Sequence, residues 1–302
     1  MKAIDLFAGA GGFSTGARKA GVEVLLAANH WQLAIDAHGR NHPGVTHICQ
    51  DLNQADFTKF PAHDLLLASP ACQGHSKARG KDKPHHDACR STAWAVISCA
   101  EVHKPRHVLV ENVPEFLDWV LYPVWQLALE KLGYTIQKHI LDAADFGVPQ
   151  HRQRVFVFAT RGKTAPKLVF PTSTHRPASS IIDLDAGRWA KITRRSHAKA
   201  TLERIARGRE TYGRTFVMAY YGSSRNGRSI DAPLGTVTTI DRHAIVHGDR
   251  MRMLTIDEYK RAMSFPSDYW LPKVKRPALH LLGNAVCPDV AERIVGELKR
   301  IG

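Results

Sequence analysis

The chain has 302 residues, and its 42 Lys and Arg exceed its 28 Asp and Glu, giving a formal net charge of +14 at pH 7. This charge favours a polyanionic partner, nucleic acid first and an acidic membrane surface second, over a merely basic soluble protein. The five cysteines contain no CxxC pair, which argues against a disulfide framework and a zinc site. No apolar run approaches the about 18 residues that a membrane span needs, and no signal-peptide pattern is present. We therefore expect a cytoplasmic protein with no metal and no membrane partner.

Strand and helix patterns alternate along the first half of the chain. Short apolar runs predict strands, and stretches of helical periodicity between glycine or proline signals predict helices. In chain order they are strand 3–7, a glycine-rich turn at 8–12, helix 13–20, strand 22–28, helix 33–41, strand 64–68, helix 91–102, strand 107–110 and helix 120–132. This rhythm predicts an α/β fold with a doubly wound, mostly parallel sheet and an active site at the carboxyl ends of its strands.

The alternation weakens in the second half, which predicts a division into domains. Residues 1–164 form the domain that contains the predicted sheet. Residues 165–250 form a smaller, β-rich domain, because prolines punctuate its start and turn signals divide 216–246 into hairpins. Residues 251–302 form a C-terminal segment, which contains a capping-box pattern at Thr255 and ends in a helix that returns to the first domain.

The basic charge is concentrated between residues 186 and 228, where eleven Lys or Arg stand against two Glu. Aromatic residues are interleaved with them, a composition that favours phosphate contacts combined with stacking or groove contacts. The candidate contact residues in this segment are Arg194, Arg195, Arg207, Arg209, Arg225 and Arg228.

Two strand ends and one strand entry carry reactive side chains. Cys72 follows a buried strand on a turn of small residues, and Glu111 ends the next strand, a pairing that suggests covalent chemistry with acid assistance. A structural thiol and a surface carboxylate are the simpler alternatives. Arg152 and Arg154 enter a third strand with a spacing of two, which predicts one shared face, either an exposed basic edge or two guanidiniums aimed at a base or a phosphate.

The glycine-rich turn after the first strand lets a ligand approach the backbone closely. It lacks the G-x-G-x-x-G spacing of a dinucleotide site, and the second strand ends in Asn29-His30-Trp31 rather than in an acidic residue. Trp31 can stack on an adenine, and His30 or Asn29 can reach ribose hydroxyls. The alternative is a tight turn with Trp31 in the core.

Taken together, the motifs resemble those of the cytosine-5 DNA methyltransferase family, in the family's order and along nearly the whole chain. One such match is weak, whereas six in the right order are specific. The matching stretches are Asp5-Leu6-Phe7-Ala8-Gly9-Ala10-Gly11-Gly12, Pro70-Ala71-Cys72-Gln73, Glu111-Asn112-Val113, Gln150-x-Arg152-x-Arg154, the segment from Arg252 through Glu258 and Arg261 to Pro266, and Gly283-Asn284-Ala285-Val286.

The resemblance implies S-adenosylmethionine as methyl donor and a flipped cytosine in double-stranded DNA as acceptor. Cys72 would add to carbon-6 of the base, Glu111 would bond ring nitrogen-3, and Arg154 with Arg152 would hold the carbonyl oxygen. The implied cofactor-binding residues are Phe7, Gly9, Ala10, Gly11, Gly12, His30, Trp31, Asp51, Leu52, Pro70, Asn284 and Val286. The basic segment then lies in a target-recognition domain at 165–250, and Gln73 and Ser76 join its arginines as DNA-binding residues.

Two positions depart from the family pattern. The family usually has proline immediately before the nucleophile, where this chain has Ala71. The family also usually carries a carboxylate before the tryptophan, where this chain has His30, so the charged acceptor for ribose hydroxyls is replaced by an imidazole.

Two other functions remain open at this stage. An RNA cytosine-5 methyltransferase, acting on transfer RNA, has the same architecture, and a non-catalytic DNA-binding relative would keep the fold without the chemistry. The favoured hypothesis is a sequence-specific DNA methyltransferase, monomeric and encoded by a prokaryote or a phage. Whether it acts alone or beside a companion restriction endonuclease stays open on the sequence.

Overall fold

The computed structural model describes residues 1–71, 91–193, 197–220 and 227–301. The chain divides into two compact units. The first unit comprises Met1–Asp142, Gln153–Pro171 and Ala285–Gly302, and the second comprises Ala143–Arg152 and Thr172–Asn284. These bounds differ from the three predicted ranges. Most of the predicted C-terminal segment, up to Asn284, belongs to the second unit, and only Ala285–Gly302 belongs to the first.

Among the described residues, the first unit is built on a seven-stranded sheet with the order β3-β2-β1-β4-β5-β7-β6. The strands are β1 (Lys2–Leu6), β2 (Glu23–Asn29), β3 (Thr46–Cys49), β4 (Leu65–Ala68), β5 (His107–Asn112), β6 (Tyr134–Asp142) and β7 (Gln153–Arg161). The first five pair in parallel, whereas β7 runs antiparallel to both β5 and β6. Every residue of β4 and β5 is buried, as expected for central strands covered on both faces. The predicted α/β fold with a mostly parallel sheet is confirmed.

The helices of the described chain are α1 (Gly12–Lys19), α2 (Gln32–Asn41), α3 (Trp94–His103), α4 (Tyr122–Lys131), α5 (Lys199–Tyr212), α6 (Ile256–Ala262), α7 (Lys275–Asn284) and α8 (Pro288–Ile301). In the first unit α8 packs closely on α1, since a Cβ at Gly16 would collide with the Ala291 side chain. Phe116 and Trp125 are fully buried in an aromatic cluster beside α3 and α4. None of the described helices combines the length and the apolar character that crossing a membrane requires.

The second unit contains, within its described residues, a five-stranded sheet with the order β10-β9-β11-β12-β8, in which all pairs are antiparallel. Its strands are β8 (Ala190–Lys191), β9 (Thr215–Ala219), β10 (Arg228–Ser229), β11 (His243–His247) and β12 (Arg250–Met253). The strand content fits the expected β-rich character. However, the basic segment also contains helix α5, which packs Gly208 directly on the Phe216 ring, and no helix was predicted there.

Candidate active site

A carboxylate and a guanidinium meet at the carboxyl end of β5. Glu111 is the penultimate residue of β5, and Arg154 is the second residue of the neighbouring strand β7. Arg154 Nε lies 3.1 Å from Glu111 Oε1, and the two side chains are only 16% and 7% exposed. Since water screens such a pair little, the guanidinium orients the carboxylate and partly neutralises it. The structure therefore brings together two of the four predicted catalytic residues.

The turn after β4 is tied to the same strand end. Ser69 N donates to the Leu6 carbonyl, which extends the pairing of β4 with β1. Asn112, the residue after Glu111, donates from Nδ2 to the Pro70 carbonyl at 3.2 Å and accepts at Oδ1 from Val113 N at 2.9 Å. The turn leading toward the predicted nucleophile is thus fixed beside the carboxylate. Cys72, Gln73 and Ser76 lie outside the described residues.

Arg152 has partners of a different kind. It precedes β7, it is 3% exposed, and it lies in the second unit. Its guanidinium donates to the carbonyls of Val237 at 2.9 Å and Gly283 at 2.8 Å. Arg152 thus bonds backbone carbonyls, whereas Arg154 pairs with Glu111, and the shared face of the two arginines stays a prediction. Gln150 supports the same region by donating to the Ala262 carbonyl at 2.7 Å, a role that its motif did not reveal.

The glycine-rich turn between β1 and α1 lets a ligand come close to its backbone. Phe7, Gly9 and Gly11 all have left-handed backbone conformations, with φ of 61°, 54° and 84°. A Cβ at Gly12 would collide with the Val286 carbonyl, so only glycine allows this packing. Such a turn at a helix N-terminus exposes backbone N–H groups to a ligand, as a cofactor loop requires.

The ends of β2 and β3 supply the neighbouring predicted cofactor residues. Asn29 Oδ1 accepts from Trp31 N at 2.9 Å, and Trp31 is partly exposed rather than part of the core. His30 is exposed, and Leu52 is buried. Asp51 lies on the surface and caps the short turn after β3 by accepting from a backbone N–H at 3.0 Å.

These groups fit the cofactor that the motifs imply. Since β1, β2 and β3 are adjacent and parallel, the loops at their carboxyl ends lie at one edge of the sheet. That edge offers close backbone approach, an indole face, an imidazole and a carboxylate, which suit an adenosine group with a charged tail. The remaining predicted cofactor residues are the buried Pro70 and Val286 of the first unit and the exposed Asn284 at the end of α7 in the second.

A buried polar network under this loop was not predicted. Asp5 accepts from Ser14 Oγ at 2.7 Å, and Ser14 Oγ lies 2.9 Å from His38 Nε2, whose other nitrogen lies 2.8 Å from His47 Nε2. Burial raises the pKa of Asp5 to about 7 and lowers the pKa of His38 well below its usual value. The only sequence signal for this network was the cluster of histidines in and after α2, which has no spacing rule of its own.

The predicted DNA-binding arginines that the structure describes are exposed on the second unit. Arg207 and Arg209 lie on α5, and Arg228 lies on β10. Arg209 donates to the Gly248 carbonyl at 2.8 Å, so part of its hydrogen-bonding capacity supports the fold. Arg194, Arg195 and Arg225 lie outside the described residues. In the described part of the chain, no group of three or more His, Cys, Asp or Glu could hold a metal ion.

A doubly wound sheet with a glycine-rich loop after β1 and a carboxylate–guanidinium pair after β5 defines a cofactor-binding α/β enzyme. The chain belongs to the C-5 cytosine-specific DNA methylase family, whose model matches residues 1–300. Its enzyme class is DNA (cytosine-5) methyltransferase, and the resemblance stated from the motifs is confirmed.

Relatives match over almost the whole chain. The Type II methyltransferase M.HgiDI of Herpetosiphon aurantiacus is 30% identical over 304 residues, which cover 96% of this chain and 92% of that protein. The Type II methyltransferase M.NlaX of Neisseria lactamica is 27% identical over 308 residues, which cover 99% and 96% of the two chains.

Solved structures share the fold. A prophage-encoded protein of E. coli, provisionally described as a DNA modification methyltransferase, matches with a TM-score of 0.75 and 21% identity over 100% of this chain and 99% of that one. A mutant of Spodoptera frugiperda DNMT2 matches with a TM-score of 0.69 and 19% identity over 99% and 98%. At these identities the likeness concerns the fold alone.

Proposed function

We propose that the protein methylates carbon-5 of a specific cytosine in double-stranded DNA through a covalent adduct with Cys72. The observation that carries this proposal is the strand-end arrangement of Glu111 and Arg154, joined through Asn112 to the turn that leads into Cys72. A thiol, a carboxylate and a guanidinium around one base are the groups that this chemistry needs.

The chemistry begins with the thiolate of Cys72, which adds to carbon-6 of the cytosine and raises the electron density at carbon-5. Glu111 forms a hydrogen bond with ring nitrogen-3 and stabilises the charge that develops there, while Arg154 holds the carbonyl oxygen. When bound, S-adenosylmethionine would supply an electrophilic methyl group to carbon-5, and the electron pair of the broken carbon–sulfur bond would stay on its sulfur. Transfer of the carbon-5 proton to water then lets the Cys72 thiolate leave and restores the double bond of the ring.

The cofactor is held at the edge formed by β1, β2 and β3. The Gly9–Gly12 turn would hold the charged tail, and Trp31 would offer its indole face to the adenine. His30 and Asp51 would supply polar groups for the ribose and the adenine. Backbone N–H groups and an indole face provide this recognition without a metal ion.

The target is duplex DNA, from which the cytosine must leave the stack because its reactive atoms are covered inside the helix. The exposed arginines of the second unit support phosphate contacts in this role. The Type II names of the relatives support a restriction-modification setting, in which a companion endonuclease cuts the unmethylated site. The protein would work there as a monomer in the cytoplasm.

The test is methyl transfer by purified protein from labelled S-adenosylmethionine to duplex DNA and, in parallel, to transfer RNA. We expect transfer to DNA, a Cys72→Ser variant without activity but with unchanged DNA affinity, and a Glu111→Gln variant with strongly reduced kcat. Transfer to RNA alone would contradict the choice of substrate. Full activity of Cys72→Ser would contradict the covalent mechanism, and absence of transfer from every substrate would favour the non-catalytic relative. Bisulfite sequencing of DNA from expressing cells identifies the target sequence.

A further inference from the structure

The residues just before Cys72 are held by hydrogen bonds from two different elements. Asn112, at the end of β5, donates to the Pro70 carbonyl at 3.2 Å. Ala71 N then donates to the hydroxyl oxygen of Thr92 at 3.1 Å. The second bond acts on the residue that shares a peptide bond with Cys72, and its acceptor lies 21 positions further along the chain.

The Thr92 hydroxyl is itself firmly placed. Thr92 lies just before α3, and its carbonyl accepts from Ala95 N at 3.2 Å. The next residue, Ala93, accepts at its carbonyl from Trp125 Nε1 at 2.9 Å. Since Trp125 is fully buried in the aromatic core, the backbone next to Thr92 is anchored to that core.

The identity of residue 71 makes this bond possible. A proline has no N–H group and restricts its own φ, so it would stiffen the turn without needing a partner. Ala71 has a wider conformational range, and it has an N–H group that must find an acceptor when it is covered. The hydrogen bond to Thr92 supplies both the acceptor and the missing restriction.

We propose that Thr92 is a positioning residue for Cys72, and that its hydroxyl replaces the rigidity that a proline at position 71 would provide. This proposal rests on the proposed role of Cys72 as nucleophile. Because Ala71 is joined to Cys72 by a peptide bond, the hydrogen bond to Thr92 restrains the residue from which the nucleophile continues the chain. Since a displacement of about 1 Å at a reacting group can cost about a hundredfold in rate, this confinement acts on the chemical step.

The experiment compares Thr92→Val, which keeps the side-chain shape and loses the hydroxyl, with Thr92→Ser, which keeps the hydroxyl. We expect Thr92→Val to lower kcat about tenfold or more, equivalent to about 1.4 kcal/mol, with KM for DNA and for S-adenosylmethionine nearly unchanged. Thr92→Ser should retain kcat within about threefold of wild type.

Thr135→Val is the matched control. Its hydroxyl also bonds a backbone group, donating to the Thr160 carbonyl at 3.0 Å where the Thr92 hydroxyl accepts from an N–H group. Thr160 is in register with His107 at the amino end of β5, the opposite end of the strand from Asn112. This variant should therefore keep kcat unchanged while losing a comparable hydrogen bond.

A double-mutant cycle with Ala71→Pro isolates the bond itself. In that background the N–H donor is absent, so Thr92→Val should lower kcat less than about twofold further. An undiminished loss in the Ala71→Pro background, or kcat of Thr92→Val within about twofold of wild type, overturns the proposal. If Ala71→Pro alone is inactive, the kcat values of Thr92→Val and Thr92→Ser still test the proposal. Full activity of Cys72→Ser would instead overturn the proposed function, so the two failures are distinguishable.

Discussion

The interiors of the two units of the protein are stabilised by different kinds of contact. The first unit has a large core of aliphatic and aromatic side chains that covers both faces of its central strands. In the second unit one apolar cluster is formed by Ile205, Phe216, Met218, Ala244, Val246 and Met251, and other buried apolar side chains include Leu234, Leu254, Tyr259 and Leu282. This unit adds long polar side chains that are buried and bonded, namely Gln150, Arg152, Arg252 and Glu258.

This difference shows where each unit tolerates change. A sheet covered on both faces is stabilised mainly by non-directional burial of apolar surface, and its polar groups at the strand ends are available for chemistry. The second unit adds directional bonds from buried arginines to carboxylate and carbonyl groups, each of which is costly to break. Arg152 and Arg252 therefore support the structure of the second unit, whereas Arg154 in the first unit is the arginine that we propose for catalysis.

The largest effect should come from Arg252→Ala in the second unit. Arg252 forms a bidentate pair with Glu258, with nitrogen–oxygen distances of 2.7 and 2.8 Å, and donates to the Asp183 carbonyl at 2.6 Å. Removing it leaves a buried carboxylate without its partner, which should lower the free energy of unfolding by about 3–5 kcal/mol. Urea denaturation measures this loss. Arg300→Ala, which removes an exposed guanidinium from its pair with Glu297, is the control and should leave the midpoint nearly unchanged.

Substitution of Arg152 should mainly reduce stability, whereas substitution of Arg154 should mainly reduce kcat. Arg152→Ala leaves two buried carbonyls unsatisfied and should cost about 2–4 kcal/mol of unfolding free energy, with little change in kcat of the folded protein. Arg154→Ala should lower kcat by about a hundredfold, because the carbonyl oxygen of the base loses its cation. The kcat of each variant is measured well below its melting temperature, where the protein is folded. A kcat loss in Arg152→Ala as large as that in Arg154→Ala would contradict this division.

Acid should weaken the first unit more than the second. Burial lowers the pKa of His42, His63 and His107 in the first unit to about 4. Among the described histidines of the second unit, only His243 has a pKa lowered to the same value. The pKa of each of these histidines is higher in the unfolded state than in the folded state. The unfolded state therefore binds more protons between pH 6.5 and pH 4, and the free energy of unfolding decreases as the pH falls through that range.

Each of these histidines should contribute up to about 2 kcal/mol of destabilisation at pH 5 relative to pH 7. Asp5 acts in the opposite direction, since its raised pKa favours the folded state at acid pH. Hydrogen exchange followed by mass spectrometry, corrected for the intrinsic pH dependence, measures the loss in each unit. Greater loss of protection in the second unit at pH 5 would contradict the expectation.

The smallest effect should come from a surface pair of the first unit. Lys19 on α1 lies 2.8 Å from Asp289 and 3.7 Å from Glu292, both on α8. Because solvent screens these charges, Lys19→Ala should cost at most about 1 kcal/mol, and high salt should remove the difference from wild type. A larger loss that persists in salt would show that the α1–α8 contact depends on this pair rather than on apolar packing.

The elements that the sequence predicts well are those determined by local pattern. The strand predicted at 64–68 is Leu65–Ala68, and the capping box is present, with Thr255 accepting from Glu258 N and Glu258 accepting from Thr255 N. The final helix, predicted from about residue 288, is Pro288–Ile301. Apolar runs and capping pairs act within a few residues, so no distant part of the chain is needed to predict them.

The features that the sequence did not predict depend mostly on distant partners. The spacing of Arg152 and Arg154 gave no sign that Arg152 bonds the carbonyl of Gly283, 131 positions away. Helix α5 was missed because its arginines and lysines, which are good helix formers, were interpreted only by their charge. The network from Asp5 to His47 has no linear signal, because α1, α2 and β3 each supply part of it.

The amino-acid sequence by itself determined the order of the motifs, the alternation of strands and helices, the basic charge and, through them, the family. It also determined which residue types stand at the strand ends, because those positions follow directly from local patterns. Only the tertiary structure decided which groups meet: Arg154 with Glu111, Arg152 with backbone carbonyls, and Ala71 with Thr92. The physical reason is that a hydrogen bond needs its two atoms within about 3 Å, a condition set by packing and not by spacing along the chain.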